Sequence, residues 1–306
     1  MLWYESFDEK MAHDLPEVRV EREVSMQKHT SFRIGGPARR MAFPETTEQL
    51  VRTAELACQC GIRPFILGKG TNLLICDEGL DTLVIKTESM NSIRQIDEVT
   101  LEADAGVSLA RFAVFAQQAG LAGLEFAHGI PGSLGGAVYM NAGAYGGEMK
   151  DVLVEITALC DDGVRKLTVE EADLSYRHSY FADSGAVVLS ATVRLTKDDP
   201  AEIRARMDEL MARRKKTQPL EYPSAGSTFK RPVGHFAGGL IEQTGLKGLT
   251  VGGAQVSEKH AGFVINKGGA TADDVINVIE HCKKTVLVQT GVELEPEVKI
   301  IGQEGI

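Results

Sequence analysis

Several groups of residues in this chain have the types and spacing to do chemistry, and two of them are rich in glycine. Residues 129–148 read GIPGSLGGAVYMNAGAYGGE, with glycine at 129, 132, 135, 136, 143, 146 and 147. That density predicts irregular backbone rather than helix or strand. Glycine admits positive φ and lacks Cβ, so main-chain N–H groups can approach a ligand closely, and successive N–H groups form concavities that bind anions. Twenty residues exceed what a connecting turn requires. The stretch predicts a ligand cradle, seated on the core by Leu134 and residues 137–140 with its glycines facing outward. The second group, Gly68-Lys69-Gly70-Thr71-Asn72, directly follows a short apolar run. That is the place of a phosphate-binding turn, although neither the Walker nor the GxGxxG pattern is present. Two such loops predict one long ligand held between them, and a dinucleotide with its pyrophosphate fits.

Other groups carry charge or protons. In Ser175-Tyr176-Arg177-His178-Ser179-Tyr180 the guanidinium of Arg177 can fork onto a carboxylate or stack on a ring. Arg214 falls eleven residues after Ile203 and four after Leu210, on the apolar stripe of a helix. An inward guanidinium needs an anion, either a buried carboxylate or a ligand phosphate. Residues 223–230, PSAGSTFK, bring hydroxyls to one loop. No Gly-x-Ser-x-Gly elbow and no suitably spaced base accompany them, which argues against a hydrolase triad and leaves serine as a proton donor. Glu293, Glu295 and Glu297 alternate with apolar residues in a strand expected over 292–301, where Pro296 marks an edge or bulge and at least two carboxylates should be solvated. His260, in VSEKHAGF, reads by default as structural.

The elements that must position these groups alternate irregularly. Residues 1–27 show no sustained period, and the start is expected to be loosely held. An extended run should enter the Gly35-Gly36-Pro37 turn. Thr46 and Gln49 form a capping pattern for a helix with Leu50, Ala54 and Ala57 on one face, stopped by Gly61. Strands are expected at 64–67, 82–86, 92–95, 99–103, 152–160 and 186–195, the last two separated by the Asp161-Asp162-Gly163 turn. Ser108 caps a helix with Leu109, Phe112, Ala116 and Ala119 inward. Helices follow at 200–216, 237–244 and 272–289. This pattern is α+β rather than a doubly wound sheet.

Composition narrows the function. The 306 residues allow two or three domains, and 43% hydrophobic with 25% charged residues is ordinary for a globular protein. With 33 basic and 43 acidic side chains the formal charge is -10, which argues against general binding of nucleic acid or anionic membrane. No apolar run suits a membrane span and no signal peptide is visible, so a cytoplasmic protein is expected. Five cysteines without metal-type spacing predict reduced thiols and no metal site.

Seven motifs occurring in order carry a resemblance: FRIGGPA at 32–38, GKGTNLL at 68–74, GIPGSLGGAVYMNAGAYG, Tyr176-Arg177-His178-Ser179, GSTFK at 226–230, VSEKHAGFVIN at 256–266 and LEPEVKIIG at 294–302. Over residues 28–302 the chain resembles the UDP-N-acetylenolpyruvoylglucosamine reductase family of peptidoglycan precursor synthesis. The resemblance implies an FAD-binding domain of two α/β subdomains, 1–80 and 81–197, of the vanillyl-alcohol oxidase and cresol methylhydroxylase type. An α+β substrate domain, 198–306, follows. It implies that NADPH reduces non-covalently bound FAD, and that hydride then passes from flavin N5 to C3 of the enolpyruvyl ether of the UDP-sugar. Cofactor contacts are implied at Gly68, Lys69, Gly70, Thr71, Asn72, Leu73, Pro131, Gly132, Ser133, Gly136, Ala137, Asn141, Gly143 and Ala144.

By the same resemblance Arg177 and Glu297 stabilise the enolate-like intermediate, Glu297 as a protonated carboxyl whose pKa burial would raise, and Ser227 protonates C2. Lys230 and His260 match substrate-binding positions, and Arg214, from its helix face, is expected to meet a phosphate of the UDP moiety. The chain departs from many relatives at Arg231, where asparagine is common, and its short 177–190 segment lacks the tyrosine-bearing lid loop of one subtype. Two other readings stand beside this one at the level of sequence: another flavin oxidoreductase of the same fold acting on an alcohol, and a non-catalytic flavin-binding protein.

Overall fold

The computed structural model describes residues 2–305 and resolves into two compact units. One comprises residues up to Val20, Ala42–Lys69 and Val84–Arg214; the other comprises Glu21–Met41, Gly70–Leu83 and residues from Lys215 on.

In the first unit, helix α1 (Trp3–Asp14) is followed by α2 (Thr47–Gln59), whose N-cap Thr46 accepts a hydrogen bond from the Gln49 N–H at 3.2 Å. Strand Phe65–Leu67 pairs in parallel with residues 84–86. An antiparallel five-stranded sheet runs in the spatial order Gly163–Leu167, Leu153–Cys160, Val187–Arg194, Thr100–Asp104, Ile93–Gln95. Its inward side chains, Leu101, Ile156 and Val193 among them, share a core with Phe112 of α3 (Leu109–Gln118), Leu134 and Val138 of α4 (Leu134–Tyr139) and Phe181 of α5 (Tyr180–Ser184). Helix α6 (Pro200–Thr217) contributes Ile203 and Met207 to that core. The glycine-rich stretch is thereby anchored on the sheet through α4.

The second unit packs α7 (Ala237–Gln243) and α8 (Ala272–Thr290) with short antiparallel strands Thr250–Val251, Ala254–Val256 and Val264–Asn266. Its core holds Phe32, Leu74, Ile241, Val275, Ile279 and Leu294. Thr271 caps α8 from one end and Gly291, at φ 73°, closes it from the other. Leu73–Ile75 pairs in parallel with Lys299–Ile301, which ties the loop after Gly70 to the end of the chain.

Four expectations are corrected. The N-terminal residues are not loosely held: α1 buries Phe7 and Met11, and Arg19–Ser25 is a strand. Two buried positions in twelve residues leave too faint a period to read. The strand near Gly35-Gly36-Pro37 follows the turn, as Pro37–Phe43, instead of entering it. The turn at 161–163 leads first into a hairpin partner, Gly163–Leu167. The strand expected over 292–301 is confined to Lys299–Ile301, because Pro296 has no N–H for a ladder and makes only an isolated bridge to Phe229. Among the described residues no helix is long and apolar enough to cross a membrane.

Candidate functional site

In the first unit the two glycine-rich loops meet at Gly68. A Cβ there would lie 2.2 Å from the Ser133 Oγ, so a side chain at 68 would have to displace that hydroxyl for the turn after Phe65–Leu67 to lie against the start of α4. The glycines of the 129–148 stretch do not all face outward. Gly135 donates its N–H to the Ala105 carbonyl at 2.8 Å, and a Cβ on it would come within 2.9 Å of the Ala105 Cβ. Gly147 lies on the Phe126 ring, and Gly143 faces Glu148 across the small hairpin Gly143–Ala144 with Gly147–Glu148. Gly136 and Gly146 are exposed. Three of the seven glycines therefore serve close packing, and the helical turn of α4 survives because Leu134, Ala137 and Val138 bury one face. Pro131 is exposed, Gly132 and Ala144 are half-buried, and the side chains of Ser133 and Ala137 are buried.

Asn141 is the joint between this stretch and the turn that carries Arg177. It is fully buried and sits at φ 40°, a region that non-glycine residues occupy at a cost of about 1–3 kcal/mol. Its Nδ2 donates to Glu148 Oε2 at 2.6 Å and to the Ser175 carbonyl at 3.1 Å, while its Oδ1 accepts from the Lys150 N–H at 3.0 Å. Both amide hydrogens are thus spoken for inside the protein. The turn Ser175-Tyr176-Arg177-His178 closes on itself through reciprocal Ser175 and His178 backbone hydrogen bonds, with Arg177 at φ 57° and its guanidinium 5.1 Å from the Tyr176 ring centre. A second fastening comes from the buried Ser179, whose hydroxyl donates to the Tyr139 carbonyl at 2.6 Å. Sequence reading passed over Ser179 and the fastening by Asn141. The signal was the hydroxyl that ends the Tyr176-Arg177-His178-Ser179 motif, but its partner is 40 residues away.

The last turn of α6 lies along the same stretch. A Cβ on Gly129 would stand 3.3 Å from the Arg214 Cδ, and the Arg213 guanidinium sits 5.1 Å from the Tyr145 ring centre. Arg214 is half-buried, and no carboxylate pairs with it among the described residues. Burial pushes its guanidinium below the ordinary value, with the Tyr145 phenol acting in the opposite sense. The buried Nδ1 of His128, next to Gly129, likewise has no hydrogen-bond partner among the described residues.

The second unit brings Gly70, Thr71, Asn72, Leu73, Ser227 and Glu297 into one frame made chiefly of backbone. Gly70 accepts from the Ser31 N–H at 3.0 Å, and a Cβ on Gly70 would strike the His29 carbonyl at 2.3 Å. The Asn72 side chain donates to the Glu297 carbonyl at 3.1 Å, and the Lys299 N–H donates to the Asn72 carbonyl at 3.0 Å. Glu297 N–H in turn donates to the Thr228 carbonyl at 2.8 Å, placing its backbone beside the neighbour of Ser227. Thr228 is locked further: its N–H donates to the Gly262 carbonyl, and its Oγ1 accepts from the Val264 N–H at 2.9 Å. Ser227 itself is exposed and Glu297 half-buried, whereas Glu293 and Glu295 are exposed. Lys230 ion-pairs with Glu295. His260 accepts the Gly262 N–H on Nδ1 at 3.1 Å and packs edge-on against Phe263; burial lowers its pKa below that of a free imidazole. Arg231 stacks 3.9 Å from the Phe236 ring centre.

Two family models match the chain: an FAD binding domain over residues 38–168, and the C-terminal domain of UDP-N-acetylenolpyruvoylglucosamine reductase over 218–301. The UDP-N-acetylenolpyruvoylglucosamine reductase of Agathobacter rectalis is 49% identical across 98% of this chain and 99% of its own length. The chain belongs to the UDP-N-acetylenolpyruvoylglucosamine reductase family. A solved reductase of this family, from Thermus caldophilus, superposes with a TM-score of 0.80 at 37% identity, covering 92% of this chain and 99% of that one. The reductase of Pediococcus pentosaceus is 49% identical over 97% of the chain and 99% of its own length.

The residues present fit the flavin nucleotide that the FAD-binding domain implies. A Cβ on Gly68 would crowd the Ser133 hydroxyl, Gly136 is bare and exposed, and the orphaned His128 Nδ1 lies beside the same stretch. Asn141, with both amide hydrogens engaged, can meet a cofactor only through its backbone or the remaining lone pair of its carbonyl oxygen.

Proposed function

We infer that this chain is an FAD-dependent reductase that uses NADPH to convert UDP-N-acetylglucosamine enolpyruvate to UDP-N-acetylmuramate, in the cytoplasm, for peptidoglycan precursor synthesis. The observation that carries the reading is the near-full-length identity of 49% to a reductase of that name. We assign the cofactor to residues 1–197, within which the subdomains divide near residue 80, and the UDP-sugar to 198–306. FAD, when bound, supplies the redox step, taking two electrons from NADPH and passing them to the carbon–carbon double bond of the substrate.

The chain's own residues do the rest. Gly68, Lys69, Gly70, Thr71, Asn72 and Leu73, with Pro131, Gly132, Ser133, Gly136, Ala137, Asn141, Gly143 and Ala144, line the cofactor's binding backbone. Reduction of the enol ether leaves negative charge on C2 and the adjacent carboxylate. The fixed charge of Arg177 offsets it, and a carboxyl at Glu297 donates a hydrogen bond to it. Ser227 delivers the proton to C2. A hydroxyl is a weak acid, so its contribution rests on position, and the exposure of Ser227 lets water restore the proton. Arg214, lacking a carboxylate, meets a phosphate of the UDP group, while Lys230 must share its ammonium between Glu295 and substrate.

The test is anaerobic and has two steps. NADPH added to the purified yellow protein bleaches the flavin, and UDP-N-acetylglucosamine enolpyruvate then restores the colour. A flavin that bleaches but is not recoloured by this substrate sinks the reading.

A further inference from the structure

Lys86 is a buried cation outside the residues assigned to cofactor and substrate. It ends the strand Leu80–Lys86, where residues 83–86 are all buried, and it stands opposite Leu67 in the parallel pair, one residue before Gly68. Its side chain is 4% exposed. The ammonium donates to the Gly68 carbonyl at 2.6 Å, and the nearest carboxylate, on the half-exposed Glu88, is 3.7 Å away. An ammonium in apolar surroundings is costly unless it is paired, and a methionine of similar volume would fill the space without that cost. The turn it touches is the one where Gly68 lies against Ser133, so Lys86 and Ser133 both constrain Gly68.

We propose that Lys86 is the positioning residue of the flavin-phosphate turn, fixing the Gly68 carbonyl and adding a buried positive charge that favours the pyrophosphate of FAD. The charged groups acting on it are Glu88, which holds its proton on, and Lys69, which opposes it; burial lowers its pKa below that of a free lysine. A pyrophosphate diester keeps its charge throughout the neutral and alkaline range, so the attraction ends when Lys86 loses its proton. The inference rests on FAD being the cofactor. Wild-type protein that carries no flavin would remove that reading before any variant is made.

The experiment measures FAD release from the full-length holoenzyme by equilibrium ultrafiltration, with ADP as a flavin-free competitor carrying the same phosphates. At pH 7, Lys86→Met is expected to raise the FAD Kd on the order of ten- to a hundredfold, the range of a hydrogen bond to a charged group. Lys86→Arg should stay within about threefold of wild type by the same reasoning on retained charge. The wild-type Kd should rise between pH 7 and 10, and that rise should vanish in Lys86→Arg, which keeps its proton. ADP should show the same order of affinities. The proposal is overturned if Lys86→Met holds FAD as wild type does, if Lys86→Gln restores full affinity without the charge, or if the wild-type Kd is flat to pH 10. Should Lys86→Met not fold, the alkaline titration of wild type against Lys86→Arg decides alone.

Discussion

The turn bearing Arg177 and the junction bearing Ser227 and Glu297 are both precise, but they are held by different means. Arg177 depends on side chains: Asn141 grips the Ser175 carbonyl and Ser179 grips that of Tyr139, around a residue in the left-handed region. Ser227 and Glu297 depend mainly on backbone, with Glu297 N–H on Thr228, Thr228 N–H on Gly262 and the parallel pair Leu73–Ile75 with Lys299–Ile301 alongside. Side-chain fastening can be undone by one substitution. A backbone frame can be broken that way only where a side chain enters it, as the Thr228 hydroxyl does.

The largest effect should come from Ser227→Ala. It leaves the frame intact and removes only the proton donor, so bleaching by NADPH should persist while recolouring by substrate slows by roughly a hundredfold or more. Equal loss of both steps, read by stopped flow, would refute the assigned role. Asn141→Ala tests the side-chain fastening. It leaves the Ser175 carbonyl and the Lys150 N–H without this partner, and unfolding should become easier by about 2–3 kcal/mol, with recolouring slowed about tenfold as the Arg177 turn loosens. An unchanged denaturation midpoint together with an unchanged recolouring rate would show that the turn is held by other contacts.

Thr228→Val tests the backbone frame at one of its side-chain bonds, the other being that of Asn72 to the Glu297 carbonyl. Stability should fall by about 1–3 kcal/mol because the Val264 N–H loses its acceptor in a buried place, with little change in either half-reaction. A rate loss exceeding that of Asn141→Ala would reverse the contrast drawn between the two regions.

The smallest effect concerns pH. His260 has a folded pKa below its unfolded one, so the unfolded chain binds the proton more readily. Its contribution is present above the unfolded value, near 6.5, and is lost as pH falls from there toward the folded value. His260→Gln should therefore flatten part of the decline in Tm between pH 7 and 5. Parallel Tm curves for the two proteins would exclude a measurable share for this residue.

Much of the fold was legible because its signals are local. The caps at Thr46 and Ser108, the stripes of α2, α3 and α6, and the two-glycine loops are written within a few residues of one another. The candidate residues were legible as motifs in order, Gly68 to Leu73, Arg177, Ser227 and Glu297 among them. What was misread has a common cause. The strand expected at 292–301 was judged on alternation, but a ladder needs an N–H that Pro296 lacks and a partner that only Leu73–Ile75 supplies. The 129–148 glycines were read as one outward surface, whereas Gly135, Gly143 and Gly147 answer to Ala105, Glu148 and Phe126.

By itself the sequence determined which residue types are available for chemistry and which short segments become helices, since propensity, capping and period act over a turn or two of chain. Tertiary structure decided which glycines are bare and which are packed, that Asn141 spends its side chain on the Arg177 turn, and that Lys86 is buried under Gly68. The last two depend on partners 18 and 34 residues away, whose approach is set by how the sheet and helices close over their cores.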